Sequence, residues 1–398
     1  MTGLISVDDA IALIVKHRPQ MPAETVRLED AHGRIIASPL KAKLTQPPAA
    51  LSAMDGYAVR LADVSKPGKR LSVIGEAPAG SPFQGTVERG QAVRIFTGGH
   101  MPAGADHIVI QEAVSRDGDL VICNDAYGEP RHIRAAGRDF SEGDTLIEAG
   151  KQLGAADIAV AAASNHAELS VKRQPKVAII TNGNELRPPG SDLLSGEIVN
   201  SNPYGLGVLA KNWGGNLLQS GHAPDSIDGI LDVLSTVSDA DILVPVGGAS
   251  VGDHDHMREA FQQSGFERIF EKVAVRPGKP TWFSRRNHQL VLGLPGNPAS
   301  AFVCAHLFLR ALMGVTDQIE TTVARVTNTV SANGPRETFL RATTQIDDAG
   351  YLIITAAPDQ DSSLITPFTS ANALIQRAPE AAATKIGEKV EFVPLSPI

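Results

Sequence analysis

The chain predicts a multidomain α/β protein built round a doubly wound, mostly parallel sheet, and three observations carry that expectation. Short apolar runs at Val177-Ala178-Ile179-Ile180, Ile242-Leu243-Val244 and Leu290-Val291-Leu292 are continuous rather than alternating, as strands covered on both faces are. Helical stretches lie between them. Each run also leads into a glycine-rich turn: Thr181-Asn182-Gly183-Asn184-Glu185, Gly247-Gly248-Ala249-Ser250-Val251-Gly252-Asp253 and Gly293-Leu294-Pro295-Gly296-Asn297-Pro298. Such turns, at the carboxyl ends of neighbouring parallel strands, aim backbone N–H groups and short polar side chains into one crevice, where phosphate-bearing ligands bind.

The elements follow in order. Ser6 to His17 reads as a capped helix with Ile11, Leu13 and Ile14 on its apolar side. From Lys41 to Asp139 glycine and proline recur between short β-like pieces, including Ala92-Val93-Arg94-Ile95-Phe96 and His107-Ile108-Val109-Ile110, which suggests a small β-rich domain inserted into, or alternating with, a helical one. Gly154 to Ser164 reads as an alanine-rich helix. Pro203 to Asn212 follows the capping residue Asn202, and Ser226 to Ser235 carries Ile227, Ile230, Leu231 and Leu234 at helical spacing. After the third turn Asn297 is placed to cap a helix starting at Pro298, since proline is favoured where its missing N–H would be unpaired anyway. That helix, Pro298 to Met313, is apolar almost all round, so it is buried either in the core or against another subunit. Beyond about Thr321 alternation returns, as in Lys389-Val390-Glu391-Phe392-Val393. The expected division is a helical linking domain (1–45 plus 141–174), an inserted β-rich domain (46–140), the α/β domain (175–320) and a C-terminal β domain (321–398).

Composition narrows the function classes. At 398 residues the chain exceeds one ordinary core, and 42% hydrophobic residues suffice to fold several. No run approaches the roughly 18 apolar residues needed to span a membrane, and Met1 to Lys16 lacks a basic flank and a cleavage site, so a soluble cytoplasmic protein is expected. Cys123 and Cys304 stand far apart without metal-like spacing and read as ordinary reduced thiols. The net charge of −8, with basic residues dispersed, argues against a nucleic-acid partner. An anionic substrate must then be held by local groups. Lys272, Arg276 and Lys279 form such a group around the turn Pro277-Gly278, although the same cluster would serve as a solvated basic edge.

Read together, these motifs resemble a known family. Ser52-Ala53-Met54-Asp55-Gly56-Tyr57-Ala58, Arg94-Ile95-Phe96-Thr97-Gly98-Gly99, the Gly247 turn, Pro277-Gly278-Lys279-Pro280 and the Gly293 turn occur in the order and spacing of the molybdopterin molybdotransferases, the MoeA family, whose relatives include the E domain of gephyrin. The resemblance spans essentially the full length. It implies a molybdopterin-binding α/β domain, insertion of molybdate into adenylylated molybdopterin with magnesium-dependent release of AMP, and a homodimer with its cleft near the subunit interface. A molybdopterin adenylyltransferase and recipient molybdoenzymes are the protein partners it implies.

Carried over by position, the family's important residues fall on Asp55, Thr97, Asp139, Glu185, Asp225, Asp255, Lys272, Arg276, Pro295 and Pro298. Glu185, Asp225 and Asp255 are the expected magnesium ligands, since that ion takes a few carboxylate oxygens together with water and substrate phosphates. Gly247, Gly248, Ser250, Gly252, Lys279, Pro295, Gly296, Asn297, Pro298 and Ser300 are the expected cofactor-binding positions, and Ser250, Ser300, Lys272 and Arg276 are suitable donors to molybdate or phosphate oxygens. His254 and His256 flank Asp255 and read as solvated loop histidines. Two departures stand out. The family commonly has Thr-Gly-Asp-Glu-Leu where this chain has Asn182-Gly183-Asn184-Glu185-Leu186, and a paired Asp-Asp where it has Asp225-Ser226. Each removes a carboxylate, which keeps open a scaffold or paralogue of the same fold that no longer catalyses; the other alternative, a molybdopterin adenylyltransferase, is disfavoured by the full-length resemblance.

Overall fold

Strand Lys176–Asn182 (β1) lies beside Ile242–Val246 (β2), and β2 beside Gln289–Gly293, all parallel. The computed structural model describes residues 3–247 and 256–396 and separates into two compact units, one spanning 1–22 with 173–398, the other 23–172. Alternation along each central strand explains the two-sided burial. Val177 and Ile179 of β1, with Val244 and Leu292, face one apolar cluster; Ala178, Ile180, Leu243 and Val291 face another. Helices Ile227–Thr236 and His256–Gln263 supply Ile230, Met257 and Phe261 to the second cluster, whereas helices Val7–His17, Asn202–Asn212 and Pro298–Cys304 cover the first. The doubly wound sheet is therefore as expected, with antiparallel Trp282–Arg286 and Glu267–Phe270 added at one edge.

Three local expectations are corrected. Asn202 is the first residue of its helix rather than its cap, and its amide donates to the Gly296 carbonyl at 2.8 Å. Asn297 occupies the cap position without capping, because its side-chain amide donates instead to Ser362 Oγ at 2.9 Å. The helix expected from Pro298 to Met313 is α-helical over Pro298–Cys304, widens to a π turn over Ala305–Leu309 and closes at Arg310–Leu312. Its apolar residues are buried in the core of the chain itself. Ser6 and Ser226 do cap their helices, accepting from the Asp9 and Gly229 amides at 3.0 and 3.2 Å.

The C-terminal residues close a small barrel. Strands Glu337–Ile346, Leu352–Ala356, Thr322–Val326, Lys389–Pro394 and Ala373–Arg377 pair in that order, and the last pairs back onto the first. Ala342, Ile354, Ile375 and Phe392 fill it. A short strand, Val275–Arg276, adds to Glu337–Ile346 in parallel, so the segment carrying the basic cluster extends the barrel sheet. In chain order the remaining strands that bear on the site are labelled β3 (Val275–Arg276), β4 (Gln289–Gly293), β5 (Glu337–Ile346) and β6 (Ala373–Arg377).

The other unit is a six-stranded, largely antiparallel sheet in which Gly56–Val59 lies between His107–Ile110 and Gln91–Ile95. Its faces pack separately, Tyr57 and Val59 on one side and Ala58 on the other. Helix Ala155–Ala163 and the pair Ala23–Arg27 with Glu168–Lys172 complete it. Among the described residues no helix is long and apolar enough to cross a membrane.

Candidate active site

The first and third glycine turns and Gly247 lie together because β1, β2 and β4 are parallel neighbours ending at the same edge. Gly247 adopts φ +101°, a conformation that favours glycine. A Cβ on Gly296 would lie 3.3 Å from Gly247 Cα, and one on Gly247 would lie 3.3 Å from Asn182 Oδ1. The first turn is tied to the segment after Ala223: Asp225 accepts from Asn182 Nδ2 at 2.7 Å and from the Asn184 amide at 3.3 Å, while its own amide donates to Asn184 Oδ1 at 3.2 Å. Glu185 and Asp225 are exposed, and the Glu185 carboxylate folds over Gly183. Asn182 is buried, yet its Oδ1 has no hydrogen-bond partner among the described residues. Gly248, Ser250, Gly252, Asp255 and His254 lie outside the described residues.

Next to the third turn is a cavity of about 800 Å³. The α/β domain gives it Arg276, Lys279 and Ser300; the barrel gives it Arg336, Arg341 and Arg377. Arg276 and Lys279 are exposed, and among the described residues neither side chain has a hydrogen-bond or ion-pair partner. The turn between them is held from below. Gly278, at φ +119°, has no room for a side chain, because a Cβ would overlap Cys304 Sγ, and Thr281 Oγ1 donates to the Gly278 carbonyl at 2.8 Å. Burial pushes the Cys304 thiol up to about 12, so it stays protonated and acts as packing.

Arg341, 2% exposed, is surrounded by neutral acceptors: Nη1 donates to the Leu364 carbonyl at 2.5 Å, Nη2 to Asp359 and Asp361 carbonyls at 3.1 and 3.0 Å, and Nε to Gln360 Oε1 at 3.3 Å. It shapes the loop that brings Ser362 to the cavity, and that loop docks on the third turn through the Ala299 amide, which donates to the Ser362 carbonyl at 3.0 Å. Five cations thus line the cavity against one described carboxylate, Asp361, and none of the five forms an ion pair among the described residues. Five positive charges against one carboxylate, beside polar hydroxyls, are what an oxyanion with several negative charges requires.

Several expected residues do not join this cavity. Lys272 is half-buried on a strand beside Leu4 and is not among its lining residues. Pro295 is buried within the third turn, and Pro298 begins its helix. Asp55 and Thr97 belong to the other unit and are paired there. Asp55 Oδ1 accepts from the Thr97 amide at 2.7 Å and from its hydroxyl at 2.8 Å, bonds that hold the carboxyl below the usual aspartate range. Asp139 occupies a separate turn of that unit, its amide donating to the Gln46 carbonyl at 3.0 Å. Among the described residues no three or more histidine, cysteine or acidic side chains are grouped to hold a metal. The sequence reading missed Arg336, Arg341, Arg377 and Ser362. One signal was present: Thr338 to Ala342 is an almost apolar strand interrupted by a single arginine.

Comparison with known proteins agrees with this architecture. Residues 5–164 match the MoeA N-terminal region (domain I and II), 178–314 the probable molybdopterin binding domain, and 323–395 the MoeA C-terminal region (domain IV). The chain is 34% identical over 376 residues to a molybdopterin molybdenumtransferase of Nostoc sp., covering 91% of this chain and 86% of that protein. It is 30% identical over 404 residues to the Haemophilus influenzae protein of the same name, covering 99% of each. A solved structure of the molybdopterin biosynthesis MoeA protein from Pyrococcus horikosii superposes with a TM-score of 0.86 at 26% identity over the whole of both chains. Matched from end to end in sequence and in structure, the chain belongs to the MoeA family of molybdopterin molybdenumtransferases.

Proposed function

We propose that this protein is a molybdopterin molybdenumtransferase that inserts molybdate into adenylylated molybdopterin and releases AMP. The observation that carries the reading is the cavity whose five cations face a single described carboxylate and form no ion pair among the described residues, set beside the third glycine turn of the molybdopterin-binding domain. Molybdate and the pyrophosphate of the adenylylated pterin are polyanions of the kind such a cavity accepts. In this reading Arg276 and Lys279 hold oxyanion oxygens, Ser300 donates a further hydrogen bond, and the turn amides around Gly247 and Gly296 orient phosphate. Pairing of Asp55 with Thr97 keeps that carboxylate ionised as a second charged element.

Magnesium fits the residues of the first turn. The donors there are all oxygen: two exposed carboxylates, Glu185 and Asp225, and the buried, partnerless Asn182 Oδ1. Glu185, Asp225 and Asp255 would hold the ion. When bound there, it would supply positive charge to phosphate oxygens. A homodimer and a cytoplasmic location belong to the same proposal, as does the four-part domain division. Because helix Pro298–Cys304 and the turns after it are buried within the chain, a dimer must use another face.

Purified protein incubated with adenylylated molybdopterin, molybdate and magnesium should release AMP only when all three are present. AMP release independent of molybdate, or consumption of ATP with release of pyrophosphate in the presence of free molybdopterin, would replace this reading by a hydrolase or an adenylyltransferase. Sedimentation should show a dimer; a stable, fully active monomer would remove that part.

A further inference from the structure

The turn before strand Gly56–Val59 meets the turn after strand Gln91–Ile95, because the two strands are antiparallel neighbours in which Gly56 faces Ile95 and Tyr57 faces Arg94. Two backbone bonds knit the turns together. The Ser52 amide donates to the Gly99 carbonyl at 2.8 Å, and the Gly98 amide donates to the Ser52 carbonyl at 2.9 Å. Their meeting sets Asp55 against Thr97. Both Thr97 bonds end on Asp55 Oδ1, so Oδ2 has no hydrogen-bond partner among the described residues, and the pose of the turn decides where that oxygen points.

Arg94 touches both halves of this arrangement. Its Nη1 donates to the carbonyl of Gly56, the residue after Asp55, at 3.1 Å. Nη2 donates to Gln111 Oε1 at 2.7 Å, and the Gln111 amide in turn donates to the Asp55 carbonyl at 3.1 Å. The guanidinium carbon lies 5.1 Å from the ring centre of Tyr57 and 5.0 Å from that of Phe96, the residue before Thr97. Arg94 is half-buried and forms no ion pair among the described residues, so neutralising a neighbouring carboxylate is not its task. A planar fork that makes two directed bonds while lying against aromatic rings fixes an orientation, which a flexible ammonium does not.

From this we infer that Arg94 is a positioning residue for the Asp55–Thr97 pair: clipped to the Gly56 carbonyl and to Gln111, it fixes the turn that presents Asp55 Oδ2 to the substrate. The inference deepens the transferase reading and rests on it in one respect, that Asp55 acts in the transfer.

Arg94→Met keeps most of the stem and removes both bonds. The kcat for AMP release should fall by about 10- to 100-fold, the scale on which a displaced reacting group loses rate, while KM for adenylylated molybdopterin and the denaturation midpoint stay near wild type. In an Asp55→Asn background the same replacement should cost nothing further, because residues that act as a unit are not additive. Equal losses in the two backgrounds would overturn the inference, as would wild-type kcat in Arg94→Met. Carbon NMR of the Asp55 carboxyl in the full chain gives a readout apart from activity. That carboxyl is held low by the Thr97 amide and then by its hydroxyl, with the Arg94 charge adding to them, so it should titrate at higher pH in Arg94→Met; an unmoved titration would sink the clip. Arg94→Lys keeps the charge without the fork and should restore neither kcat nor titration; recovery of both would make Arg94 a bare charge and overturn the inference. If Arg94→Met fails to fold, Gln111→Ala, at an exposed position, removes one of the two anchors and is read the same way. Wild-type kcat in Asp55→Asn alone would overturn the place of Asp55 in the transfer, and the titration would still decide whether Arg94 positions it.

Discussion

The two walls of the cavity solve one problem by different means. On the α/β wall the cavity's charges, Arg276 and Lys279, are set by a short turn in which glycine permits a φ value and a close approach that other residues do not, at Gly278. On the barrel wall they are long cationic side chains, Arg336, Arg341 and Arg377, brought together by strand pairing from positions scattered over more than forty residues of sequence. A wall of turns is rigid and local. A wall of arginines depends on the fold behind it, so damage to that fold and damage to the charge should be separable on the first wall and joined on the second.

Arg341→Met is the strongest break. It removes the cation and leaves the carbonyls of Asp359, Asp361 and Leu364 without a donor. Buried acceptors left unmet cost about 1–3 kcal/mol each where water cannot replace the partner. Stability should fall by about 3 kcal/mol, and AMP release by about a hundredfold or more as the Ser362 loop loses its shape. Denaturant unfolding and turnover should both change; a variant of wild-type stability would show that the loop holds itself.

Arg276→Met tests the opposite wall. Its side chain is exposed and free of partners among the described residues, so unfolding should be unaffected while kcat/KM falls by about a hundredfold, the scale of losing one transition-state donor. A fall in stability matching the fall in activity would cancel the distinction between the walls.

This contrast also explains what was legible in the sequence. The first and third turns, the pair Arg276 and Lys279 and the doubly wound order were readable because each is a local pattern of glycine, proline and apolar runs. Arg336, Arg341 and Arg377 were not, because a strand arginine looks like a solvent-facing residue until register decides its neighbours. The same limit produced the errors at Asn202 and Asn297. Both stand where caps belong, yet each has a better partner from another part of the chain, the Gly296 carbonyl and Ser362 Oγ. Helix Pro298 to Met313 shows the limit from the other side: its lack of a polar face predicts burial in the core or against another subunit, and only packing shows that its own chain covers it.

Glu185→Gln sharpens the α/β side. The residue is exposed, so the exchange should leave the unfolding midpoint in place and lower turnover by about 10 to 100-fold, with a higher magnesium requirement, if it is a ligand. Turnover and magnesium dependence both equal to wild type would remove Glu185 from the mechanism.

Acid should move the walls in opposite directions. His306 lies in the π turn behind the third loop, where burial and then Arg310 bring its pKa down to about 4. The unfolded chain, with an ordinary value near 6.5, binds the proton first, so stability is whole above about pH 6.5 and lost as pH falls towards 4, by at most about 1.4 kcal/mol per unit. Glu337 on β5 has its pKa raised by burial, so its contribution is present at low pH and lost as pH rises. Replacing His306 by Phe should therefore flatten the drop in melting temperature between pH 7 and pH 5. An unchanged drop would assign acid sensitivity elsewhere, for instance to His107, whose pKa is likewise near 4 in the other unit.

Asn184→Asp gives the smallest effect and the finest test of the turn-built wall. The Asn184 side chain serves as an acceptor for the Asp225 amide at 3.2 Å, and a carboxylate oxygen keeps that bond, so stability should change by less than about 0.5 kcal/mol. What changes is charge: a further carboxylate is set beside Asp225 and Glu185. If these acids hold magnesium, the half-saturating concentration should fall several-fold, while in its absence the added repulsion leaves the apo turn slightly looser. A half-saturating concentration unchanged by Asn184→Asp would mean that position 184 acts only through its hydrogen bond. The turn would then be defined by backbone geometry rather than by its count of acids, and the departure from the family pattern would carry no functional weight.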